Sequence, residues 1–160
     1  MRKTPQPIIA RIQGKCVGGG VGLAAAADYA IAIDSASVKL SELAVGIGPF
    51  VVGPVVERKI GVAAYSQLAF DAGSWRSAAW AREKSLFAEI HDSVEGVDTA
   101  VKRLADQLVQ SSPEAMHAIK QVSWAGTESW DTLLFERAAI SGRLVLSTFT
   151  RNAIAQFKKK

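Results

Sequence analysis

Three consecutive glycines, a valine and a fourth glycine, Gly18-Gly19-Gly20-Val21-Gly22, lead into the alanine-rich stretch Leu23-Ala24-Ala25-Ala26-Ala27, which ends at Asp28. Fixing glycine costs more backbone entropy than fixing any other residue, so a cluster this dense is expected only where something must approach the backbone closely. The segment before it, Pro7-Ile8-Ile9-Ala10-Arg11-Ile12, reads as a short strand that Gln13-Gly14 ends, and Tyr29-Ala30-Ile31-Ala32-Ile33 reads as a second strand. Between them, Val21 to Ala27 has no charge on any face and contains good helix formers, which predicts the first turns of a buried helix. Asp34-Ser35-Ala36-Ser37 then turns the chain into a third short strand, Val38-Lys39-Leu40. Strand, helix and strand in this order predict an α/β fold with helices packed on a sheet.

Beyond Gly61 helical periodicity replaces the short apolar runs. Val94, Val97, Val101, Leu104 and Leu108 recur at the three-and-four spacing of one helical face. Ser111 and Glu114 frame a capping box with Pro113 in the first turn, opening a further helix that carries Met116 and Ile119. Helices near Asp131 to Leu146 and Thr150 to Phe157 complete the chain. The expected division is an α/β core over residues 1–90 and a helical region over residues 91–160, with no internal repeat.

Composition narrows the classes. A chain of 160 residues with 49% hydrophobic and 21% charged side chains fits one globular domain with one core. Its longest uncharged run stops at Asp28, well short of the roughly 20 apolar residues of a membrane-spanning helix. The basic start Met1-Arg2-Lys3 is followed by Thr4-Pro5-Gln6-Pro7 and not by an apolar signal core, so a cytoplasmic, non-membrane protein is expected. Cys16 is the single cysteine, which excludes an intrachain disulfide and a thiolate metal cluster; it reads as a small buried residue. His91 and His117 have no sequence neighbours that suggest a relay or a metal site. The net charge of +4 includes Lys158-Lys159-Lys160, a tail that is either solvated or directed at an anionic small molecule. The aromatics are not interleaved with arginine, which argues against nucleic acid.

Four mechanisms compete for the glycines. Gly20-x-Gly22-x-x-Ala25 matches a permissive dinucleotide fingerprint, but Gln13 to Val17 separates it from the strand, and Asp34 comes too soon for the acidic residue expected about 20 positions on. Pairing of membrane helices through Gly18-x-x-x-Gly22 fails on segment length and on Asp28. An oxyanion hole uses the backbone N–H groups at a helix start, which have no helical partner and gain positive potential from the helix dipole. A tight helix-on-sheet crossing would also use glycine, and the residues alone leave these last two open.

The joint pattern goes further. Pro7 to Gly14, then Gly18-Gly19-Gly20-Val21-Gly22-Leu23-Ala24, Asp28, and Leu40-Ser41-Glu42-Leu43-Ala44-Val45-Gly46-Ile47 with Pro49, resembles the enoyl-CoA hydratase/isomerase (crotonase) family. Ser77 to Leu86 resembles that family's helix ahead of a short strand, and the helices up to Phe157 resemble its C-terminal trimerisation region. The resemblance implies a partial crotonase-like β-β-α spiral acting on an acyl-CoA thioester, with coenzyme A as part of the substrate and no separate cofactor or metal. It implies that Gly19 is an oxyanion donor shaped by Gly18 and Gly20, and that Glu42 is the glutamate that moves the proton. Apolar Leu40, Leu43 and Ile47 would raise the pKa of that carboxyl. Phe157 and Lys160 fall where the family's last helix reaches a neighbouring subunit's coenzyme A, so a trimer or hexamer is implied.

Three departures bear on the reaction. Gly22 stands where two-glutamate hydratases carry their other acid, so a one-carboxylate reaction is implied: hydration, as in methylglutaconyl-CoA hydratase-like proteins, or a double-bond shift. Phe50-Val51-Val52-Gly53-Pro54 replaces a more glycine-rich loop, with Phe50 either capping the acyl pocket or packing beneath the loop. The β-β-α turns that precede Pro7 in the family, with the other oxyanion donor, have no counterpart here. A chain of this kind is expected to associate with other copies and to lack a complete site alone, and a truncated binding or assembly subunit is the alternative.

Overall fold

The computed structural model describes residues 1–157. Strand β1 (Ile9–Ile12) and strand β2 (Lys15–Val17) follow each other across Gln13 and Gly14, and helix α1 (Gly19–Ala26) carries the chain back to β3 (Tyr29–Ile33) and β4 (Ser37–Lys39). β3 lies parallel to β1, with Ile9 opposite Tyr29 and Ile12 opposite Ala32, while β4 lies parallel to β2, with Cys16 opposite Val38. Each β-β-α turn therefore adds one strand to each of two sheets, which is the repeat of a spiral.

A turn of 3-10 helix at Leu43–Val45 follows β4, and α2 (Gly53–Phe70) runs with a break at Gly61. β5 (Arg76–Ser77) pairs antiparallel with β4, α3 (Ala78–Glu83) follows, and β6 (Glu89–His91) extends the first sheet beside β3. The sheets are ordered β1-β3-β6 and β2-β4-β5. β1 and β2 are thus edge strands, each paired on one side.

The main core lies between the second sheet, α1 and α2, where Val21, Val38, Leu40, Val56, Leu68, Leu86 and Phe87 are all essentially buried. Burying one such side chain contributes about 1.5–3 kcal/mol. On the first sheet, Val97 and Ala100 of α4 (Val94–Val109) close over Ile31, with Val101 and Leu104 beside them. The periodic face read from the sequence is therefore the face that packs. α5 (Pro113–Ser123), α6 (Trp130–Val145) and α7 (Thr148–Phe157) complete the described chain. No described helix is long and apolar enough to cross a membrane.

Several local expectations change. The sequence reading stops the first strand at Gln13-Gly14 and gives Lys15-Cys16-Val17 no element, whereas these residues form β2. α2 begins at Gly53, with Pro54 in its first turn, and not beyond Gly61. The cap of α5 is Ser112, whose Oγ accepts from the Ala115 N–H, while Ser111 donates to the Gln107 carbonyl. α1 is buried through Val21, Gly22, Ala24 and Ala25, yet Leu23 is 64% exposed. Gly19 and Leu23, one turn apart, both lie on this open side.

Candidate active site at the start of helix α1

Gly18 caps α1 with φ 52° and ψ −114°, a conformation that L side chains rarely adopt. Its N–H donates to the Lys39 carbonyl at 2.9 Å, which ties the start of the helix to the end of β4. Its carbonyl accepts from both Val21 and Gly22, at 3.0 and 3.2 Å. The N–H groups of Gly19 and Gly20 donate to nothing among the described residues. They are the unpartnered donors of the helix start, on the positive end of its dipole.

Glu42 stands against this point. A Cβ on Gly18 would fall 2.9 Å from Glu42 Oε1, so the carboxylate occupies the space a side chain at position 18 would need. Leu40, two residues earlier, is buried, and Oε2 of Glu42 is itself buried with no hydrogen-bond partner among the described residues. Burial raises the carboxyl above its ordinary value of 4.5, and a backbone hydrogen bond offsets part of the effect. Desolvation without a counter-charge holds such a group nearer to neutrality, the condition that acid–base work favours.

The glycines now separate by cause. Gly18 is required by its backbone conformation and by Glu42. Gly22 is required by Val52, whose Cγ1 would lie 2.6 Å from a Cβ there. Gly20 would meet only the Cys16 sulfur, at an ordinary 3.5 Å, and a Cβ on Gly19 would meet nothing within 4 Å. Packing therefore accounts for Gly18 and Gly22 and gives no reason for glycine at position 19. Cys16 is buried, and burial raises its thiol.

The Phe50 ring is stacked on its own loop, with Cζ 2.5 Å from where a Cβ on Gly48 would be. α7 closes over the segment after Glu42: Phe149 Cδ1 and Thr150 Oγ1 would lie 2.4 and 2.7 Å from a Cβ on Gly46. Phe157 ends α7, and its side chain, like Lys160, lies outside the described residues. Val52 and Tyr65 are the site neighbours that sequence reading assigned no role. Val52 stands in the Phe50-to-Pro54 stretch that departs from the family pattern, which was signal enough. Tyr65 is brought close by the break at Gly61, which no local pattern announces.

A cavity of about 630 Å³ lies at the opposite end of α1, lined by Asp28, Lys59, Lys120 and Trp124 among others. It shares neither Glu42 nor any of Gly18 to Gly20 with the site above. Its one carboxylate is engaged: Asp28 Oδ2 accepts from the Ile8 N–H at 2.7 Å and pairs with Lys120 at 2.9 Å. Lys59 donates to the Ala27 carbonyl at the end of α1, at 3.2 Å. These groups hold the fold together at the end of α1 away from Glu42.

Comparison with known proteins settles the lineage. The Enoyl-CoA hydratase/isomerase family profile matches residues 1–156. The chain belongs to the enoyl-CoA hydratase/isomerase family. Carnitinyl-CoA dehydratase of Escherichia coli K12 is 34% identical over 117 residues, 73% of this chain and 44% of that protein. The Salmonella paratyphi A protein of the same name is 33% identical over 123 residues, 77% of this chain and 47% of its own. An enoyl-CoA hydratase from Mycobacterium avium superposes with a TM-score of 0.90 at 26% identity, over 99% of this chain and 62% of that one. One from Shewanella pealeana ATCC 700345 gives 0.72 at 28% identity, over 99% and 59%. The fold is thus the crotonase fold, and the chain spans a little under half the length of these two curated relatives.

Proposed function

We propose that this enoyl-CoA hydratase/isomerase-family chain binds an acyl-CoA thioester at the start of α1 and supports addition or removal of water across the bond next to the thioester. The Gly19 N–H holds the thioester oxygen as it gains enolate charge, with Gly18 and Gly20 shaping the turn. Glu42 carries the proton: as carboxylate it accepts one from water attacking the β carbon, and as acid it returns one to the α carbon. Coenzyme A belongs to the substrate, and no further cofactor enters. The observation that carries this reading is the orphaned, buried Glu42 carboxylate beside two unpartnered backbone N–H groups. The named activity of the curated relatives, dehydration of a CoA ester, fits it.

Val52 favours a second reading. With Val52 on Gly22, the wall facing the helix is apolar where two-acid relatives place a carboxylate, and a double-bond shift needs one carboxylate and no added water. Assay with crotonyl-CoA and with a 3-enoyl-CoA separates the two, since only hydration consumes the first. Glu42→Gln is expected to slow either reaction about 10²–10⁴-fold, and unchanged turnover in that variant would overturn the assignment of Glu42. The open edges of β1 and β2 are assigned to contacts with further copies of the chain. The exposed Phe135 of α6 and Phe149 of α7 suit self-association into trimers or hexamers.

A further inference from the structure

We propose that the cavity at the far end of α1 is a second binding site, for a small hydrophobic monocarboxylate held head-first, with its carboxylate on Lys59 and its apolar body against Met116, Ile119 and Trp124. This site shares no residue with the one at Glu42, and the inference does not rest on the acyl-CoA reading.

The cavity opens where the end of α1 meets α2 and α5, and its volume of about 630 Å³ lies within the roughly 300–1,000 Å³ of small-molecule sites. Its walls are largely apolar, from Val55 of α2, Leu108 of α4, and Met116, Ile119 and the capping Trp124 of α5. Its charges do not balance: Arg58, Lys59 and Lys120 line it with one carboxylate, Asp28. That carboxylate is spent. Asp28 Oδ2 takes the Ile8 N–H and Lys120, and Oδ1 accepts from the Trp124 indole N–H at 3.4 Å. Lys59 is left with the Ala27 and Asp28 carbonyls, at 3.2 and 3.5 Å, so one of the three N–H groups of its ammonium donates to nothing among the described residues. Burial lowers its pKa, with Asp28 offsetting part of the effect, as expected of a cation short of counter-charge. Depth separates the two kinds of lining. Lys120 is buried and Lys59 half-buried, whereas Ile119 is 66% exposed, so the charge sits at the bottom of the cleft and apolar surface at its mouth. A carboxylate on an apolar body matches that order. Arg58 fixes one wall, donating to the Ser123 carbonyl and lying over the Trp124 ring, 5.8 Å from its centroid. An indole held in this way, with the Met116 thioether beside it in the lining, favours an aromatic body.

The test is calorimetric titration of the full chain with 1-naphthoate and with 1-naphthalenemethanol, which has the same rings and no charge. The expected result is that naphthoate binds about tenfold more tightly or better, as a hydrogen bond to a charged group allows, and that saturating butyryl-CoA leaves its affinity unchanged. Lys59→Met should lose the preference and keep its affinity for the alcohol, while Lys59→Arg should retain the preference. Met116→Glu places a carboxylate inside the cleft and should abolish naphthoate binding in a chain whose circular dichroism is unchanged, which keeps the proposal testable where Lys59→Met does not fold. Equal affinity for the two probes, or a preference that survives in Lys59→Met or Met116→Glu, overturns the proposal. Competition with butyryl-CoA would put naphthoate in the Glu42 site and likewise overturns it. Absence of binding of either probe overturns it as well, and a sedimentation change in Met116→Glu would then give the cleft to a second copy of the chain.

Discussion

At the scale of single residues, Gly19 and Glu42 respond to substitution in opposite ways to their neighbours. Gly19 is exposed, open on its Cβ side and the first residue of α1, so Gly19→Ala leaves the fold intact and gains only a fraction of the roughly 1 kcal/mol that Ala gains over Gly in a helix interior. The added methyl enters the space assigned to the thioester, and affinity for an acyl-CoA ester is expected to fall about tenfold or more, the consequence of overpacking a fitted site. Gly18→Ala does the reverse, costing about 1–3 kcal/mol of stability through its positive φ and its approach to Glu42. Thermal unfolding beside calorimetric titration of both variants checks the pair. Glu42 carries a second prediction. Its folded-state pKa lies above the unfolded one, so its contribution to stability is fully present below the ordinary carboxylate range and is lost as pH rises through the folded value. Glu42→Gln removes the buried, unpartnered charge. The variant should be more stable than the parent at pH 7 by about 1 kcal/mol, with the gain disappearing at low pH, while turnover falls about 10²–10⁴-fold. Unfolding curves from pH 4 to pH 8 test the sign.

Among the elements, the contact between α1 and α2 decides what chemistry fits. Gly22 and Val52 interlock so closely that Gly22→Ala forces Val52 Cγ1 aside, and a loss of about 1–3 kcal/mol is expected. Val52→Ala should restore most of that loss when combined with it, a non-additivity of at least about 1 kcal/mol, measured as denaturant midpoints of the two single variants and the double. The same contact shows why the site was only partly legible in the sequence. Gly22 is legible in the sequence as a fourth glycine of one motif. What fills the space beside it is not, because Val52 is brought there by the start of α2 at Gly53-Pro54, residues whose propensities suggest a loop. β2 escaped for a related reason: three residues between two glycines, with only Cys16 buried, give alternation too little length to register. β1, β3 and α4 were legible because each buries a periodic apolar face on a neighbour, which is the signal that period and composition carry.

For the molecule as a whole, the start of the first sheet, the end of α1 and helix α5 are joined by one ion pair whose lysine is buried and whose aspartate keeps 23% of its exposure. Lys120 of α5 is 5% exposed; it donates to the Gln6 carbonyl at 2.8 Å and pairs with Asp28 at 2.9 Å. Asp28 also accepts from the Ile8 N–H, at 2.7 Å. One carboxylate thus fixes the turn after α1, the start of β1 and the docking of α5. Sequence marks Asp28 as part of a family pattern and leaves Lys120 as one lysine among many, since a pair 92 positions apart (120 − 28) has no local signature. Removing one partner of a fully buried pair costs about 3–5 kcal/mol; Asp28 is partly exposed and keeps its Ile8 donor, which sets the cost here near or below about 3 kcal/mol, still a large share of the roughly 5–15 kcal/mol that holds a typical domain together. Lys120→Met is therefore expected to lower the urea midpoint steeply. Asp28→Asn in the same chain should recover a good part of the loss: it removes the stranded charge, and the amide oxygen can still accept from Ile8. A double variant no more stable than Lys120→Met would show that α5 is held by its apolar contacts and not through this pair.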